Sequence, residues 1–234
     1  MWLRVVIFGL TARPINAFRH LVFDLDGTLV DTKDDLAEAV NVSLRALGLP
    51  SEEPSRLWGY VGHGARVLVE RALGPERAHL LAPALEVFMS WYMEHLLDHA
   101  SVYPGLGEAL DMLAADGVVF SVLTNKPETM SRALIEGLGL ADRFPRVVGG
   151  DTLSVKKPDP AGLLRLVGSA GVPAAATLMV GDSAVDVATG KNAGVATCGV
   201  LWGFTGTAVR ESAPDVLIEE ARELLAICRS GLVP

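Results

Sequence analysis

The sequence predicts an α/β fold, a doubly wound parallel sheet that carries an inserted helical cap. Short apolar runs typical of buried parallel strands recur along the chain, and helix-length amphipathic segments separate the later runs. This alternation of strand and helix is the pattern of a doubly wound sheet. The interval 32–103 breaks the alternation, because it contains helical patterns and no convincing strand. We therefore expect the helical insertion there.

Each predicted strand is an apolar run that ends at glycine or polar residues. The runs are Leu21–Phe23, Val118–Leu123, Arg146–Val148, Thr177–Val180 and Val195–Val200. The helices predicted between the later runs are Pro127–Leu138, Pro160–Ala170 and Ser183–Ala193. Residues 216–218 and 219–229 have the patterns of a last strand and helix. These segments are the strands and helices of the predicted sheet domain.

The boundaries of the insertion coincide with residues that favour a change of chain direction. Asp31-Thr32 marks one end, and Tyr103-Pro104-Gly105 marks the other, where proline and glycine suit a hinge-like connection. We predict an α/β catalytic core of residues 19–31 and 104–234, a helical cap of residues 32–103, and an N-terminal extension of residues 1–18.

The charge balance argues against nucleic acid and membranes as partners. The 234 residues include 20 Lys and Arg against 28 Asp and Glu, which gives a formal net charge of −8. The overall field therefore repels phosphate backbones and anionic lipids. A small anion can still bind where a metal ion, a lysine or a helix N-terminus reverses the sign locally.

The cysteines and the N-terminus point to a cytoplasmic protein. Cys198 and Cys228 lack the spacing of a metal site or disulfide scaffold, and we interpret them as small buried hydrophobic residues. The apolar run within 1–10 is too short to span a membrane and lacks a clear small-residue cleavage site. A cytoplasmic location is the expectation that follows.

Two carboxylates follow the first predicted strand of the core directly. Asp24 and Asp26 are separated by one residue, so in an extended chain they face the same side with Cα atoms roughly 6 to 7 Å apart. Ligands of open parallel sheets bind at the carboxyl ends of the strands. A solvated acidic turn is the alternative, but two acids at the end of a buried strand repel each other unless a cation or proton compensates.

Four segments in order resemble the motifs of the haloacid-dehalogenase-like superfamily of hydrolases, whose core is a Rossmann-like sheet. Asp24-Leu25-Asp26-Gly27-Thr28 has the form of its first motif, and Thr124, at the end of a predicted strand, resembles its second. Lys157, which precedes a proline, resembles the third, and the segment from Asp182 to Asp186 resembles the fourth. The order and spacing predict that the fold gathers these residues at one sheet edge.

The resemblance implies a division of roles among the motif residues. Asp24 would be the nucleophile and Asp26 the general acid and base. Mg²⁺ would bind Asp24, the backbone carbonyl of Asp26, and Asp182. Thr124 would contact the phosphate, and Lys157 would balance its charge. As an alternative, Thr124 and Asp182 would only cap the helices that follow them. Lys156 and Lys157 could also exchange roles, so that Lys157 is the solvated residue.

The sequence allows two interpretations of Asp186. It lies four residues after Asp182, on the opening turn of a predicted helix. It either orients the site and holds the lysine, or is an exposed acid favoured by the helix dipole.

A closer resemblance is to prokaryotic phosphoglycolate phosphatases. Tyr60-Val-Gly-His-Gly-Ala65, Gly149-Gly-Asp151 and Leu201-Trp-Gly-Phe204 carry it. It implies a phosphatase that hydrolyses a small phosphorylated metabolite, with 2-phosphoglycolate as the expected substrate. The predicted substrate contacts are Asn125, Gly62, His63, Gly64 and Arg66, and Arg66 is able to pair with a carboxylate.

Other activities stay open on the sequence alone. Phosphatases for sugar phosphates or pyrophosphate share parts of the same motifs, and a phosphomutase would use the same aspartyl-phosphate. A dehalogenase of this fold needs neither a metal nor a leaving-group acid, so Asp26 and Asp182 argue against it. A binding protein built on the fold would be expected to lack one of the four motif groups, and none is missing.

Overall fold

The computed structural model describes residues 6–7 and 18–230. Within them the strands are β1 Val6–Ile7, β2 His20–Phe23, β3 Val30–Asp31, β4 Ser101–Val102, β5 Val119–Leu123, β6 Arg146–Val148, β7 Thr177–Gly181, β8 Ala196–Val200 and β9 Val216–Ile218. The helices are α1 Lys33–Ala46, α2 Pro54–Trp58, α3 Ala65–Leu73, α4 Leu81–Glu94, α5 Leu106–Ala115, α6 Glu128–Gly137, α7 Ala161–Ala170, α8 Ala184–Ala193 and α9 Glu223–Ser230. None of these helices has the length and apolar character needed to span a bilayer.

The main sheet confirms the predicted α/β fold. Its strand order is β1-β9-β8-β7-β2-β5-β6, and every pairing is parallel except that of β1 with β9. Each predicted apolar run forms a strand, and the last strand and helix are also present. The runs predict strands because they are buried on both faces, as a sheet covered by helices requires. The antiparallel pairing of β1 was not predicted.

The register of the central strands fixes where the site lies. β2 pairs with both β5 and β7, so that Phe23 is opposite Val122 and Val180. The residues that follow these strands therefore emerge at one edge of the sheet. Asp24, Thr124 and Asp182 lie within two residues of that paired row, which brings three of the predicted motifs together.

The interval between β3 and β4 is helical, as predicted, with one correction. β4 lies inside 32–103, where no strand was expected, and pairs antiparallel with β3. The two strands have two residues each, too short for an alternating pattern to be visible in the sequence. Their pairing joins the two chain connections of the helical segment.

The helical segment and the sheet share one hydrophobic cluster. Leu36, Val69 and Phe88 of the helices belong to the same cluster as Phe23 and Val122 of the sheet. Within the helical segment itself, the buried carboxylate of Asp35 on α1 accepts hydrogen bonds from the backbone N–H of His99, at 3.0 and 3.2 Å. The predicted division at residues 32 and 103 remains a prediction.

Two further expectations from the sequence concern the cysteines and the N-terminal extension. Cys198 and Cys228 are both buried and free, as interpreted from the sequence. Of the predicted N-terminal extension, residues 1–5 and 8–17 lie outside the described residues.

Candidate active site

Asp24 leaves the end of β2 with one carboxylate oxygen engaged and the other open. Its Oδ1 accepts hydrogen bonds from the backbone N–H of Leu25 at 2.7 Å and lies 2.8 Å from Lys157 Nζ. Among the described residues, none donates a hydrogen bond to Oδ2. Because the backbone N–H of Asp24 donates to Val180 on β7, the side chain is held at the edge of the sheet. The open oxygen is available to attack or to bind a cation.

Lys157 is a buried cation held between two carboxylates. Its Nζ lies 2.8 Å from Asp24 Oδ1 and 2.6 Å from Asp186 Oδ1. Burial alone lowers the pKa of Lys157, but the charges of Asp186 and Asp24 outweigh burial and raise that pKa above its usual value. The lysine therefore stays charged beside Asp24. Lys156, by contrast, is exposed and contacts the backbone of the helical segment.

Asp186 is positioned by its own helix. Its Oδ2 accepts hydrogen bonds from the backbone N–H of Ser183 at 3.1 Å and from Ser183 Oγ at 2.6 Å. This reciprocal capping arrangement begins α8 and leaves Oδ1 for Lys157. Of the two interpretations of Asp186, the buried contact with the lysine agrees with its holding role, and the exposed first-turn acid does not.

Asp182 is held by the loop that follows β8. Its Oδ2 accepts hydrogen bonds from the backbone N–H groups of Phe204 and Thr205, at 2.8 and 3.3 Å. The loop approaches so closely that a Cβ on Gly203 would lie 2.3 Å from the Asp182 Cβ. This leaves Oδ1 of Asp182 available. The segment Leu201-Trp-Gly-Phe204 carried only a family resemblance in the sequence, and nothing in its pattern predicted this contact with Asp182.

Asp24, Asp182 and Asp186 form an oxygen-rich cluster. One carboxylate oxygen from each lies within 4.8 Å of the others. Burial, followed by the charge of Asp186, raises the pKa of Asp24 to about 8 and that of Asp182 to about 7. The single positive charge of Lys157 does not balance three buried acids. A divalent cation with a preference for oxygen ligands fits this site.

Asp26 faces a different set of partners. Its Oδ1 accepts a hydrogen bond from Thr32 Oγ1 at 2.8 Å and lies 2.9 Å from Lys126 Nζ. Its side chain is therefore not part of the acid cluster, although Asp24 and Asp26 line the same cavity. The backbone carbonyl of Asp26 accepts no hydrogen bond from the described residues, so it is available for the predicted metal contact.

Lys126 and Tyr92 are site residues that the sequence analysis missed. Lys126 Nζ donates to both Asp26 and the Tyr92 hydroxyl, and it lies 4.4 Å from the centroid of the Tyr92 ring. Burial lowers the pKa of Lys126, but Asp26 and then Tyr92 raise it above its usual value. Burial raises the pKa of Tyr92 to about 12, against the opposing charge of Lys126. The position of Lys126, two residues after Thr124, could have indicated a site residue. Nothing in the sequence pattern of α4 distinguishes Tyr92 as one.

The loop after β5 contributes polar groups and a link to the helical segment. Thr124 is buried and its hydroxyl accepts from the backbone N–H of Lys126 at 3.2 Å. Asn125 Nδ2 donates to the carbonyls of Gly62, at 3.0 Å, and of Lys157, at 3.2 Å. The amide N–H groups of Asn125 therefore already have acceptors. The buried Oδ1 is itself an acceptor, so it cannot donate a hydrogen bond to a phosphate oxygen. The Asn125 side chain bridges two segments in this arrangement.

The predicted contacts from the helical segment fall into two groups. Gly62 and Gly64 line the cavity, with φ of 108° and 90°, and a Cβ on Gly64 would lie 3.0 Å from the Asn125 carbonyl oxygen. His63 and Arg66 have exposed side chains and are not among the described residues that line it. His63 contributes its carbonyl, which accepts from Lys156 Nζ at 2.9 Å.

Part of this site lines a cavity of about 460 Å³, a volume that includes its part open to solvent. Its polar lining residues are Asp24, Asp26, Tyr92, Thr124, Asn125 and Lys126. Its apolar lining residues include Leu36, Val61, Ala65, Leu68, Phe88 and Met130. A small ligand would therefore contact both charged groups and hydrocarbon.

Comparison with known proteins gives the class of this fold and site. Residues 21–200 match the haloacid dehalogenase-like hydrolase family. The chain belongs to that family. It is 41% identical over 215 residues to a phosphoglycolate phosphatase of Pseudomonas syringae pv. tomato, covering 89% of this chain and 79% of the relative. It is 40% identical over 222 residues to one of Chromobacterium violaceum, covering 93% and 99%.

Solved structures agree with this assignment. A predicted phosphoglycolate phosphatase from Haemophilus somnus superimposes with a TM-score of 0.82 and 29% identity, covering 90% of this chain and 97% of that one. CbbY from Rhodobacter sphaeroides, solved in complex with phosphate, has a TM-score of 0.73 and 21% identity, covering 88% and 96%. The second likeness supports the fold alone.

Proposed function

We propose that the chain is a Mg²⁺-dependent phosphatase that hydrolyses a small phosphate monoester, 2-phosphoglycolate, through an aspartyl-phosphate on Asp24. Family membership and the phosphatase names of its relatives make it a phosphoric monoester hydrolase. The observation that carries the mechanism is the open Oδ2 of Asp24, held beside Lys157 in a cavity that Asp26 also lines.

The proposed reaction has two steps that use two carboxylates. Asp24 Oδ2 attacks phosphorus while the bond from phosphorus to the ester oxygen breaks, and Asp26 gives its proton to the departing alcohol. Water then attacks the phosphorus of the aspartyl-phosphate and Asp26 takes its proton, which releases phosphate and restores Asp24. Thr32 and Lys126 support this role because both hold the Asp26 carboxylate in place.

The acid cluster supports Mg²⁺ as the cofactor. Asp24, Asp182 and the Asp26 carbonyl would hold the ion, which prefers oxygen ligands and keeps several waters. When bound, Mg²⁺ neutralises charge between Asp24 and the phosphoryl oxygens. Lys157 balances the remaining negative charge, and the Thr124 hydroxyl contacts the phosphate from the neighbouring strand end.

We also propose that residues 32–103 act as a cap over a core of residues 19–31 and 104–234. The contacts of Asn125 with Gly62 and of Lys156 with His63 support this division, because they join the helical segment to the core at the rim of the cavity. Closure of such a cap excludes bulk water from the phosphoryl group.

A substrate panel tests the proposed activity. The purified chain with Mg²⁺ is assayed for phosphate release from 2-phosphoglycolate, sugar phosphates and pyrophosphate. We expect the highest kcat/KM for 2-phosphoglycolate and loss of activity with EDTA that Mg²⁺ restores. Release of phosphate that is indifferent to EDTA would rule out the metal dependence, and a clear preference for sugar phosphates or pyrophosphate would replace the proposed substrate.

The metal site also predicts how thermal stability responds to pH. Without metal, burial and then Asp186 raise the pKa of Asp24 to about 8 and that of Asp182 to about 7. An Asp in an unfolded chain titrates near 3.9. Between these values the folded protein holds protons that the unfolded chain has released, so stability falls as pH rises. We expect the Tm of the metal-free protein to fall from about pH 5.5 to pH 8, measured by differential scanning fluorimetry.

Mg²⁺ should reverse this trend because it binds the deprotonated carboxylates. The Tm gain from Mg²⁺ is therefore expected to be larger at pH 8 than at pH 6, and each kcal/mol of difference corresponds to about 2–4 °C in a chain of this size. Asp182→Asn should lose most of the gain, whereas Asp159→Asn, on the exposed surface, should keep it. An equal gain at both pH values would contradict the assignment of the cluster.

A further inference from the structure

We propose that Lys126 determines substrate specificity by binding a carboxylate on the leaving-group side of the substrate. The proposal rests on the proposed phosphatase function and deepens it, since it assigns recognition of the anionic arm to one residue. Among the described residues that line the cavity, Lys126 is the only Lys, Arg or His. A second negative charge on a small phosphate ester would therefore find its partner there.

The hydrogen-bonding capacity of Lys126 leaves room for a ligand. A lysine ammonium has three N–H donors. One is directed to Asp26 Oδ1 at 2.9 Å and one to the Tyr92 hydroxyl. The third has no acceptor among the described residues. Lys126 is 5% exposed, so this donor lies in an interior site where a charge-assisted hydrogen bond is strong.

The position of Lys126 relative to the two acids fixes which part of the substrate it meets. Lys157 contacts Asp24, the proposed nucleophile, and so lies on the side of the phosphoryl group. Lys126 contacts Asp26, the proposed acid that protonates the departing alcohol. A lysine bound to the acid that touches the ester oxygen is near the first atoms of the leaving group. A carboxylate on a short arm fits this arrangement.

The rest of the cavity favours a small carboxylate over a polyhydroxylated leaving group. The apolar lining residues Leu36, Val61, Leu68, Phe88 and Met130 offer no side-chain partner for sugar hydroxyls, and the Asn125 Oδ1, unpaired among the described residues, can accept from few of them. Hydroxyls left unpaired against these side chains would lose their hydrogen bonds to water. Arg66, the residue that the sequence suggested for a carboxylate, is exposed and is not among the described residues that line the cavity. The geometry assigns that part to Lys126 instead.

Two esters of equal length separate recognition of charge from chemistry. 2-Hydroxyethyl phosphate replaces the carboxylate of 2-phosphoglycolate with an uncharged CH₂OH group. We expect the wild-type protein to prefer 2-phosphoglycolate, and Lys126→Met to reduce the ratio of the two kcat/KM values by about 10- to 100-fold, the range for a hydrogen bond to a charged group. If Lys126→Met also disturbs the position of Asp26, hydrolysis of both esters slows by the same factor. That factor cancels in the ratio of the two kcat/KM values.

Control variants separate this role from a structural one. Lys126→Gln keeps a polar side chain without the charge, and we expect it to lose discrimination as Lys126→Met does. Lys156→Met removes the exposed neighbouring lysine and its contact with the His63 carbonyl, so it should leave the ratio unchanged. Circular dichroism checks that each variant is folded. An unchanged ratio in folded Lys126→Met or Lys126→Gln would overturn the proposal.

A binding measurement distinguishes failure of this proposal from failure of the proposed function. Glycolate carries the carboxylate but has no bond to hydrolyse, so its effect on Tm, with Mg²⁺ and phosphate present, does not require turnover. We expect glycolate to raise the Tm of the wild type and of Lys156→Met but not of Lys126→Met. A wild type that hydrolyses neither ester yet shows this pattern would refute the activity alone. Equal Tm gains in wild type and Lys126→Met would overturn the role of Lys126.

Discussion

Asp24→Asn is expected to lower Mg²⁺-dependent phosphate release by at least about 10⁴-fold, the scale seen when a catalytic nucleophile is removed. Asparagine keeps an oxygen that can accept the hydrogen bond from the Leu25 N–H, so the local turn is preserved. Its amide nitrogen cannot replace the open carboxylate oxygen as a nucleophile. The measurement is kcat with 2-phosphoglycolate at saturating Mg²⁺.

The same variant makes an opposite prediction for stability. The pKa of Asp24 is raised to about 8, chiefly by burial and then by Asp186, which means that the folded protein disfavours its charge. A neutral side chain removes that repulsion, so the Tm of metal-free Asp24→Asn at pH 8 should equal or exceed that of the wild type. Asp159→Asn, an exposed substitution of the same kind, should leave kcat unchanged. Residual Mg²⁺-dependent activity above about 1% in Asp24→Asn would exclude Asp24 as the nucleophile.

The fold was accessible to sequence reasoning because its strands are buried on both faces. Runs such as Thr177–Val180 have few alternatives to a central strand, and the helices between them have the expected spacing. The pairing of β1 with β9 and of β3 with β4 was not accessible. Two-residue strands carry no periodicity, and their partners are chosen by tertiary packing.

The same distinction between local pattern and tertiary packing explains which site residues could be predicted. Asp24 and Asp182 follow strands and Asp186 lies in the first turn of α8, so the parallel sheet itself brings these three acids together. Lys157 lies on the loop between β6 and α7, and only its resemblance to a motif predicted its place in the site. The contact of Lys126 with Tyr92 joins the core to α4, and no local pattern reports that two distant segments touch. The exposure of Arg66 has the same origin, since the rotation of α3 is set by its packing on α4.

Lys157→Met is the second substitution with a large expected effect, because it removes the cation that the acid cluster surrounds. Lys157 Nζ lies 2.8 Å from Asp24 and 2.6 Å from Asp186, and all three side chains are buried. Removing one partner of a buried ion pair costs about 3–5 kcal/mol. Loss of a group that stabilises transition-state charge lowers kcat about 10²- to 10³-fold. Urea unfolding and kcat with 2-phosphoglycolate measure the two effects.

The pH dependence of that loss separates a charge effect from a packing defect. At low pH the carboxylates left behind by Lys157→Met can take up protons, whereas at pH 8 they remain charged unless the fold opens. The stability difference from wild type should therefore grow as pH rises from about 5.5 to 8 without metal, and Mg²⁺ should recover part of it. Lys156→Met, which alters an exposed lysine on the same loop, should show neither trend. A loss that is constant with pH would mean that Lys157 contributes packing and not charge.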